Sequence, residues 1–303
     1  RVLHLDVTTE TVTPWADPPG WTGPTADAGQ ISTEQLTYQS ADGTEVRMFL
    51  IAAKPNGSER PRPAILYGYG GFDVAMTPAY SSSILAWVEA GGLYAIANLR
   101  GGSEEGEGWH RDGMRDHKQH VFDDFAAAAE WLVANGRTTA DQLGISGGSN
   151  GGLLVGAALT QRPELWAAVV CSAPLLDMIR YERFGLGQTW NDEYGTAVDP
   201  TEFRWLLGYS PYHHVVSGRA YPAVLFTVFD GDTRVDPLHA RKMCAALQWA
   251  SASEPDGRPV LLRREAKVGH GARSVSRTID LAVDQLSFFA VQLGHPLVRR
   301  DTA

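Results

Sequence analysis

The chain has 303 residues, of which 44% are hydrophobic and 20% are charged. A chain of this length and composition can bury a large core, which excludes a disordered or fibrous protein. Its 35 acidic residues against 26 basic ones give a formal net charge of −9, which argues against a nucleic acid or an anionic membrane as partner. No apolar run in the sequence reaches the length of a membrane span, and no signal-peptide pattern opens it.

Two cysteines, Cys171 and Cys244, are present. Two thiols in apolar surroundings cannot form a disulfide framework, so we predict two reduced core residues, which favours a cytoplasmic location. Because the chain opens at Arg1 without a methionine, we expect it to be a fragment, and the missing signal peptide then says little about the compartment.

Residues 1–30 form the first predicted unit. Residues 2–7 and 11–15 flank a Thr-Thr-Glu turn and predict a β-hairpin, and residues 16–30 are rich in Pro, Gly and Asp, as is typical of a linker. An isolated hairpin is barely stable in water, so we expect this one to belong to a sheet that the chain does not contain.

From residue 31 to residue 303 the sequence predicts alternating strands and helices. The predicted strands cover residues 46–52, 64–67, 93–99, 143–146, 167–172, 223–229 and 260–266, and the predicted helices cover residues 122–133, 150–160, 238–249 and 276–293. Asp123 and Asp124 fall in the first turn of the first helix, where carboxylates favour the positive end of the dipole. Residues 175–215, rich in Trp, Tyr, Phe and Gly, interrupt the alternation. The pattern predicts one α/β domain, with a mostly parallel sheet covered by helices on both faces.

The strongest motif is the run Gly-Gly-Ser-Asn-Gly-Gly at residues 147–152, between a predicted strand and a predicted helix. A Gly-x-Ser-x-Gly sequence in that position is typical of a nucleophile elbow, in which small flanking residues let strand and helix approach each other. Such a turn lifts the Ser149 hydroxyl clear of the sheet and points the amide of Asn150 at the same spot. Ser149 is therefore the candidate nucleophile, and the strand–helix context disfavours the alternative of a Gly-rich turn capped by a serine.

A serine nucleophile needs a base that a third group orients, and in this type of sheet the acid and then the histidine follow the serine along the chain. The loop after the next-to-last strand holds Asp230, Asp232 and Asp236, and the loop after the last strand holds His270. Both loops leave carboxyl ends of strands, where open α/β sheets bind ligands. Asp236 precedes a proline and is expected to cap the following helix, and spacing alone does not decide between the other two aspartates.

The other histidines have weaker settings. His239 lies within a predicted helix and is expected to be a surface or packing residue, and His213 and His214 lie in the irregular segment with no strand before them. His117 and His120 have a spacing that could suit a metal, but no further Cys or His cluster supports it, so we expect a solvated helix face.

Five stretches spread along the chain carry a family resemblance. They are Leu-Tyr-Gly-Tyr-Gly-Gly-Phe at 66–72, Asn-Leu-Arg-Gly-Gly at 98–102, Gly-Ser-Asn-Gly-Gly-Leu-Leu at 148–154, Asp-Thr-Arg-Val-Asp-Pro-Leu-His at 232–239 and Gly-His-Gly-Ala at 269–272. Through them, residues 31–293 closely resemble the C-terminal catalytic domain of the prolyl oligopeptidase (prolyl endopeptidase) family. The resemblance implies an α/β-hydrolase fold for residues 31–303 and a serine endopeptidase that cleaves short peptides after proline. It also implies that residues 1–30 are the end of a β-propeller blade and its linker, and that the chain lacks the rest of this propeller, a partner of the catalytic domain.

The resemblance further implies roles for single residues in the reaction. Ser149 would be the nucleophile, His270 the general base and then acid, and Asp232 the carboxylate that orients the imidazole. The oxyanion hole would combine the backbone amide of Asn150 with the hydroxyl of Tyr69. No metal or organic cofactor is implied, since this chemistry needs none.

A substrate pocket is implied in the same way. Trp190 would stack on the substrate proline ring, Phe72, Tyr194 and Val235 would form further walls, and Arg234 would donate to a substrate carbonyl. A flat apolar ring suits an aromatic face because it needs no polar partner there.

Asp192 and Glu193, beside Trp190, leave a second substrate class open. Acidic pocket residues suit Arg or Lys, as in the related oligopeptidase B. Oligopeptidase B, however, tends to have an acidic residue at the position of Trp190, and the sequence of its elbow is usually Ser-Ala-Gly. We therefore favour proline as the substrate residue. A peptide macrocyclase of the same fold is a further alternative. A hydrolase-fold binding module without activity is a distant one, because such modules usually lose a triad member.

Overall fold

The computed structural model describes residues 2–16, 31–54, 60–253, 257–271 and 273–295. Its strands are β1 (Val2–Asp6), β2 (Thr11–Ala16), β3 (Ile31–Gln39), β4 (Glu45–Ala53), β5 (Ala64–Tyr67), β6 (Leu93–Asn98), β7 (Leu143–Gly148), β8 (Ala168–Ser172), β9 (Ala223–Phe229) and β10 (Val260–Glu265). Its α-helices are α1 (Ser82–Glu89), α2 (Glu107–Arg111), α3 (Lys118–Ala134), α4 (Asn150–Gln161), α5 (Asn191–Tyr194), α6 (Pro200–Tyr209), α7 (Leu238–Ala250) and α8 (Val275–Gln292). Short 3₁₀ segments include Arg115–His117, Gly187–Trp190 and Pro211–His214.

The first two strands form the predicted hairpin. β1 pairs antiparallel with β2 in a sheet of their own, separate from the main sheet. Its apolar side chains face solvent, and Trp15 is 72% exposed. This exposure supports the expectation that the hairpin belongs to a larger sheet, and its assignment to a propeller blade stays a prediction. Residues 17–30 of the predicted linker lie outside the described residues.

Within the described residues, an eight-stranded sheet runs in the order β10-β9-β8-β7-β5-β6-β4-β3. β4 pairs antiparallel with both β3 and β6, and the other neighbours pair in parallel. The predicted mostly parallel sheet is confirmed. The edge strand β3 was not predicted, because most of its side chains are exposed and polar and so give no apolar run.

Two cores cover the two faces of the sheet, because successive residues of a strand point to opposite sides. In β8, Val169 and Cys171 belong to the core between the sheet and helices α3, α4 and α7. Val170 belongs to the core on the other face, between the sheet and helices α1 and α8. In the second core the rings of Trp87 and Phe289 lie 6.4 Å apart between their centroids. Helices thus pack on both faces of the sheet. The loops at its carboxyl edge therefore begin at strands that are held in place by this packing.

Helix α3 begins earlier than the sequence predicted. It starts at Lys118, so Asp123 and Asp124 lie in its second turn and not at its dipole end, and that expectation was wrong. Asp124 is completely buried, and its Oδ1 accepts a hydrogen bond from Nη2 of Arg100 at 2.6 Å. A long-range ion pair therefore accounts for this carboxylate.

The two cysteines and two of the other histidines lie where the sequence predicted. Cys171 and Cys244 are both free and buried, as predicted. His239 is a buried packing residue of α7, and His117 lies half exposed near the start of α3. The described helices include none that is both long and apolar enough to cross a membrane.

Candidate active site

Ser149 occupies the sharp turn between β7 and α4. Its φ of 57° and ψ of −118° lie in a region that L-residues rarely adopt, so the turn is strained. Its amide donates to the carbonyl of Ser172 at 2.9 Å, which fixes the turn to the neighbouring strand β8. A Cβ atom on Gly147 would overlap the backbone oxygen of Gly151, so only glycine lets strand and helix come this close. The turn therefore has the geometry of the predicted elbow.

Asp232 and His270 meet at the same edge of the sheet, after the parallel neighbours β9 and β10. Nδ1 of His270 lies 2.6 Å from Oδ2 of Asp232, and the side chain of Asp232 is 1% exposed. Oδ1 of Asp232 accepts from the backbone amides of Arg234 and Val235, each at 2.9 Å. Burial works to raise the pKa of Asp232, but the hydrogen bonds from His270 and the two amides, with the attraction of the imidazole, lower it overall. The ionised carboxylate holds the proton of His270 on Nδ1 and leaves Nε2 able to accept one.

The other two aspartates of this loop have different partners. Asp230 accepts from Nε of Arg264 at 2.9 Å. Asp236 accepts from the amide of Leu238, the first residue of α7, at 2.8 Å, although Pro237 and not Asp236 is the N-cap of that helix. Asp232 is thus the aspartate of the three that binds His270.

Tyr69 lies next to Ser149 on the loop after β5. Burial raises the pKa of its hydroxyl above the ordinary value, although a side-chain hydrogen bond with Ser149 opposes this rise, so the hydroxyl is protonated and able to donate. In the described residues this hydroxyl is the side-chain partner of Ser149, whereas the ring of His270 bonds Asp232. The structure therefore brings two pairs together, Tyr69 with Ser149 and Asp232 with His270.

The aromatic residues predicted for a pocket form one cluster. The ring centroid of Phe72 lies 6.4 Å from that of Trp190 and 5.5 Å from that of Tyr194, both in edge-to-face geometry. Phe72 and Trp190 are partly exposed, whereas Tyr194 is buried. The partly exposed rings of Phe72 and Trp190 can receive another flat group, whereas buried Tyr194 packs edge-to-face against Phe72.

The loop after Asp232 borders this cluster. Arg234 is exposed, and Val235 is 2% exposed within the core that Phe72 and Trp190 pack against. The backbone oxygen of Arg234 accepts from the amide of Leu186 at 3.1 Å, which ties the loop to the segment that carries Trp190. The predicted pocket residues therefore lie on connected segments.

The two acidic residues beside Trp190 have contrasting surroundings. Asp192 is exposed, whereas the side chain of Glu193 is 5% exposed. Oε1 of Glu193 accepts from Nζ of Lys118 at 3.1 Å, and Oε2 lies 2.8 Å from Nε2 of His110. Burial works to raise the pKa of Glu193, but the Lys118 charge and hydrogen bonds from His110, Lys118 and the amide of Phe72 lower it overall. The charge of Glu193 is thus balanced within the protein.

The sequence profile of the prolyl oligopeptidase family matches residues 78–296. The chain belongs to the prolyl oligopeptidase family. Over 264 residues it is 44% identical to the prolyl endopeptidase of Elizabethkingia miricola, a match that covers 86% of this chain and 37% of that protein. A solved prolyl endopeptidase structure is 50% identical, with a TM-score of 0.90, and the match covers 97% of this chain and 42% of that one. Oligopeptidase B from Leishmania major matches with a TM-score of 0.90 at 28% identity, over 98% of this chain and 41% of that one.

These matches confirm the α/β-hydrolase fold predicted for the domain. The chain spans less than half the length of each of these prolyl oligopeptidase relatives.

Sequence reasoning missed three groups at this candidate site. They are the side chains of Lys118 and His110 and the carboxamide of Asn150, of which only the backbone amide was predicted. Lys118 contacts Glu193 across 75 positions of the sequence, and no local pattern marks such a contact. Asn150 is part of the elbow motif, but the orientation of its carboxamide depends on contacts with residues from elsewhere in the chain.

Proposed function

We propose that this chain is the catalytic domain of a serine endopeptidase that hydrolyses short peptides on the carboxyl side of proline. The observation that carries the proposal is the hydrogen bond between His270 and Asp232, at the sheet edge where the strained Ser149 turn also lies. A nucleophile at an elbow, a histidine and a carboxylate that orients it form the triad of acyl-transfer enzymes.

The reaction then takes the following course. Oγ of Ser149 attacks the carbonyl carbon of the substrate proline while its proton passes to Nε2 of His270. The oxyanion accepts hydrogen bonds from the backbone amide of Asn150 and the hydroxyl of Tyr69. His270 returns the proton to the leaving amine, the C–N bond breaks and an acyl-enzyme remains. Water then attacks the ester while its proton passes to His270, the bond between the acyl carbon and Oγ breaks, and His270 returns the proton to Oγ, which releases the new carboxyl terminus and restores Ser149. Asp232 stabilises the imidazolium whenever His270 holds the proton.

The pocket favours proline over arginine or lysine as the substrate residue. Phe72 and Trp190, which are partly exposed, offer aromatic surface to a flat apolar ring, and buried Tyr194 forms the wall that packs against Phe72. Glu193, the buried acid that could have attracted a cationic side chain, is already paired with Lys118 and His110. In the same proposal Val235 forms a further wall, and exposed Arg234 donates to a substrate carbonyl.

Two partners belong to the proposal. One is the proline-containing oligopeptide, and the other is the protein's own N-terminal β-propeller, to whose last blade and linker we assign residues 1–30. The solvent-facing apolar side chains of β1 and β2 support this assignment, because they need a further sheet to cover them.

The test uses the full-length protein and compares kcat/KM for a blocked Gly-Pro chromogenic peptide with that for its Gly-Arg counterpart. We expect a preference for proline of at least about 100-fold, and a loss of about 10⁴-fold or more in Ser149→Ala. Trp190→Ala should lower the value for the proline peptide by about 10- to 100-fold, because it removes the stacking face. The matched control is Trp249→Ala, since Trp249 is 88% exposed on α7.

A preference for arginine would keep the triad and move specificity to Asp192 and Glu193. Activity that survives unchanged in Ser149→Ala would overturn the proposed chemistry.

A further inference from the structure

The loop of residues 69–73 carries two groups of the proposed site without a strand to hold it. β5 ends at Tyr67, and Gly70, Phe72 and Asp73 have φ values of 62°, 57° and 57°, which no regular element adopts. Backbone polar groups in such a loop need partners from elsewhere in the fold. The identity of those partners decides how firmly Tyr69 and Phe72 are placed.

Buried side chains supply three of these partners, beside backbone groups of Val74 and Gly101 and the hydroxyl of Ser103. The backbone oxygen of Tyr69 accepts from Nδ2 of Asn150 at 2.6 Å, and that of Gly70 accepts from Nζ of Lys118 at 2.9 Å. The amide of Phe72 donates to the carboxylate of Glu193. Both sides of the loop are thus held by polar groups that are themselves buried.

Lys118 and Glu193 also bind each other. Nζ and Oε1 lie 3.1 Å apart, and the two side chains are 1% and 5% exposed. Nζ of Lys118 lies 5.4 Å from the ring centroid of Tyr194, and a Cβ atom on Gly71 would lie 2.9 Å from Oε1 of Glu193. The pair therefore fills the space between the loop and the aromatic cluster.

Stability alone does not account for a buried pair of this kind. Taking two charges out of water is costly, and replacing a buried pair with neutral groups of similar volume is often harmless to folding. In this protein Lys118 and Glu193 are also bonded to the backbone of the loop of residues 69–73. The pair therefore helps to position that loop.

We propose that Lys118 and Glu193 are positioning residues that set the place of the Tyr69 hydroxyl over Ser149 and of the Phe72 ring in the pocket. This inference rests on the proposed function, because it assigns the oxyanion hydroxyl to Tyr69. A displacement of about 1 Å at a reacting group can lower the rate about 100-fold, so a loosened loop is expected to reduce kcat.

The experiment is a double-mutant cycle between this pair and Tyr69 in the full-length protein. The variant Lys118→Met with Glu193→Gln removes both charges together and leaves neither one unpaired. It loses the bond to the Gly70 oxygen but keeps an amide oxygen for Phe72. We expect a fall in kcat of about 10- to 100-fold with a smaller change in KM, since the transition state depends on the oxyanion donor more than substrate binding does. In a Tyr69→Phe background the same change should lower kcat by less than about 3-fold, because the hydroxyl it positions is gone.

The matched control removes the ion pair of Lys242 with buried Asp177 by Lys242→Met and Asp177→Asn. This pair holds no backbone group of residues 69–73, so kcat should stay within about 3-fold of the parent. Equal losses from the Lys118–Glu193 double variant in both Tyr69 backgrounds, or an unchanged kcat in the parent background, would overturn the inference. If that variant does not fold, Glu193→Gln alone is put through the same cycle.

Each rate is measured on the blocked Gly-Pro peptide and on p-nitrophenyl acetate. A Tyr69-dependent loss on the ester in an enzyme without proline preference would support the positioning role and overturn the proposed substrate. Absence of hydrolysis of both compounds by the parent protein would overturn both.

Discussion

The carboxamide of Asn150 bridges Tyr69 and Tyr194: Nδ2 donates to the backbone oxygen of Tyr69 at 2.6 Å, and Oδ1 accepts from the hydroxyl of Tyr194 at 2.8 Å. One side chain thus joins the proposed nucleophile turn, the loop of the proposed oxyanion donor and a wall of the proposed pocket. Its backbone amide is the other proposed oxyanion donor. A substitution at this position therefore separates the two contributions, since it removes the bridge and keeps the amide.

We predict that Asn150→Ala lowers kcat/KM for the Gly-Pro peptide by about 10-fold, because the oxyanion tyrosine loses a tether. It should also lower the free energy of unfolding by about 1–3 kcal/mol, since the buried Tyr194 hydroxyl loses its partner. Steady-state kinetics and urea unfolding measure the two effects. Tyr194→Phe is the control for the hydroxyl alone and should recover much of the lost stability in the Asn150→Ala background. A variant with full activity would show that the bridge has no part in the reaction.

Asp232→Asn should keep the fold and lower kcat about 10⁴-fold, because an asparagine no longer holds the His270 proton on Nδ1. Circular dichroism and steady-state kinetics check this pair of expectations. The control is Asp230→Asn, because Asp230 binds Arg264 at the surface. The kcat of this variant should stay within about 3-fold of that of the parent protein. An active Asp232→Asn enzyme beside an inactive Asp230→Asn enzyme would reverse the two assignments.

The sequence predicted the elements whose signals are local. The elbow at Ser149 needs glycines on both sides, and these are visible in the sequence. The loops of Asp232 and His270 each follow an apolar strand, so the order of the strands and loops along the chain was enough to predict that both residues lie at one edge of the sheet. Helix α6 also carried a readable start, since the side chain of Asp199 caps it and Pro200 is its first residue, but the aromatic-rich segment around it was interpreted as irregular.

The missed features depend on contacts between distant residues. Asp124 has the sequence setting of a helix-dipole carboxylate, but its partner in the fold is Arg100, 24 positions away. The same holds for Lys118, which in the sequence precedes the predicted helix and in the fold is 1% exposed. Burial of a charge is set by tertiary structure, and periodicity does not report it.

His239 gives the folded protein a sensitivity to acid. Its Nδ1 accepts from the backbone amides of Leu176 at 3.3 Å and Asp177 at 3.1 Å, so the folded state needs that atom unprotonated. Burial lowers the pKa of His239 to about 4, with Lys242 acting in the same direction and Asp177 and Asp236 opposing it. In the unfolded chain the pKa of histidine is about 6.5. Above about pH 6.5, both states hold neutral histidine and the residue contributes no pH dependence. Between about pH 6.5 and 4 the unfolded chain alone binds the proton, so the free energy of unfolding falls as the pH falls.

We predict that between pH 7 and pH 5 the parent protein loses about 2 kcal/mol more stability than His239→Gln, whose amide can accept from the same backbone groups without titrating. Urea unfolding at the two pH values measures the difference. His117→Gln serves as the control, because the side chain of His117 is 50% exposed, and it should follow the parent. Equal losses in the parent and in His239→Gln would contradict the assignment.

The elbow offers a comparison between two adjacent glycines. A methyl group at Gly147 would overlap the backbone oxygen of Gly151, which cannot move without displacing the start of α4. A methyl group at Gly148 would meet its nearest atom, the backbone oxygen of Ser172, at 3.6 Å, an ordinary contact. We therefore expect Gly147→Ala to cost more than about 3 kcal/mol of stability or to prevent folding, and Gly148→Ala to change it by less than about 1 kcal/mol. Chemical unfolding of the two variants side by side measures the difference. A stable Gly147→Ala protein that keeps its activity would show that β7 and α4 can move apart without losing the turn at Ser149. The conformation of the elbow would then not depend on close packing of the strand against the helix.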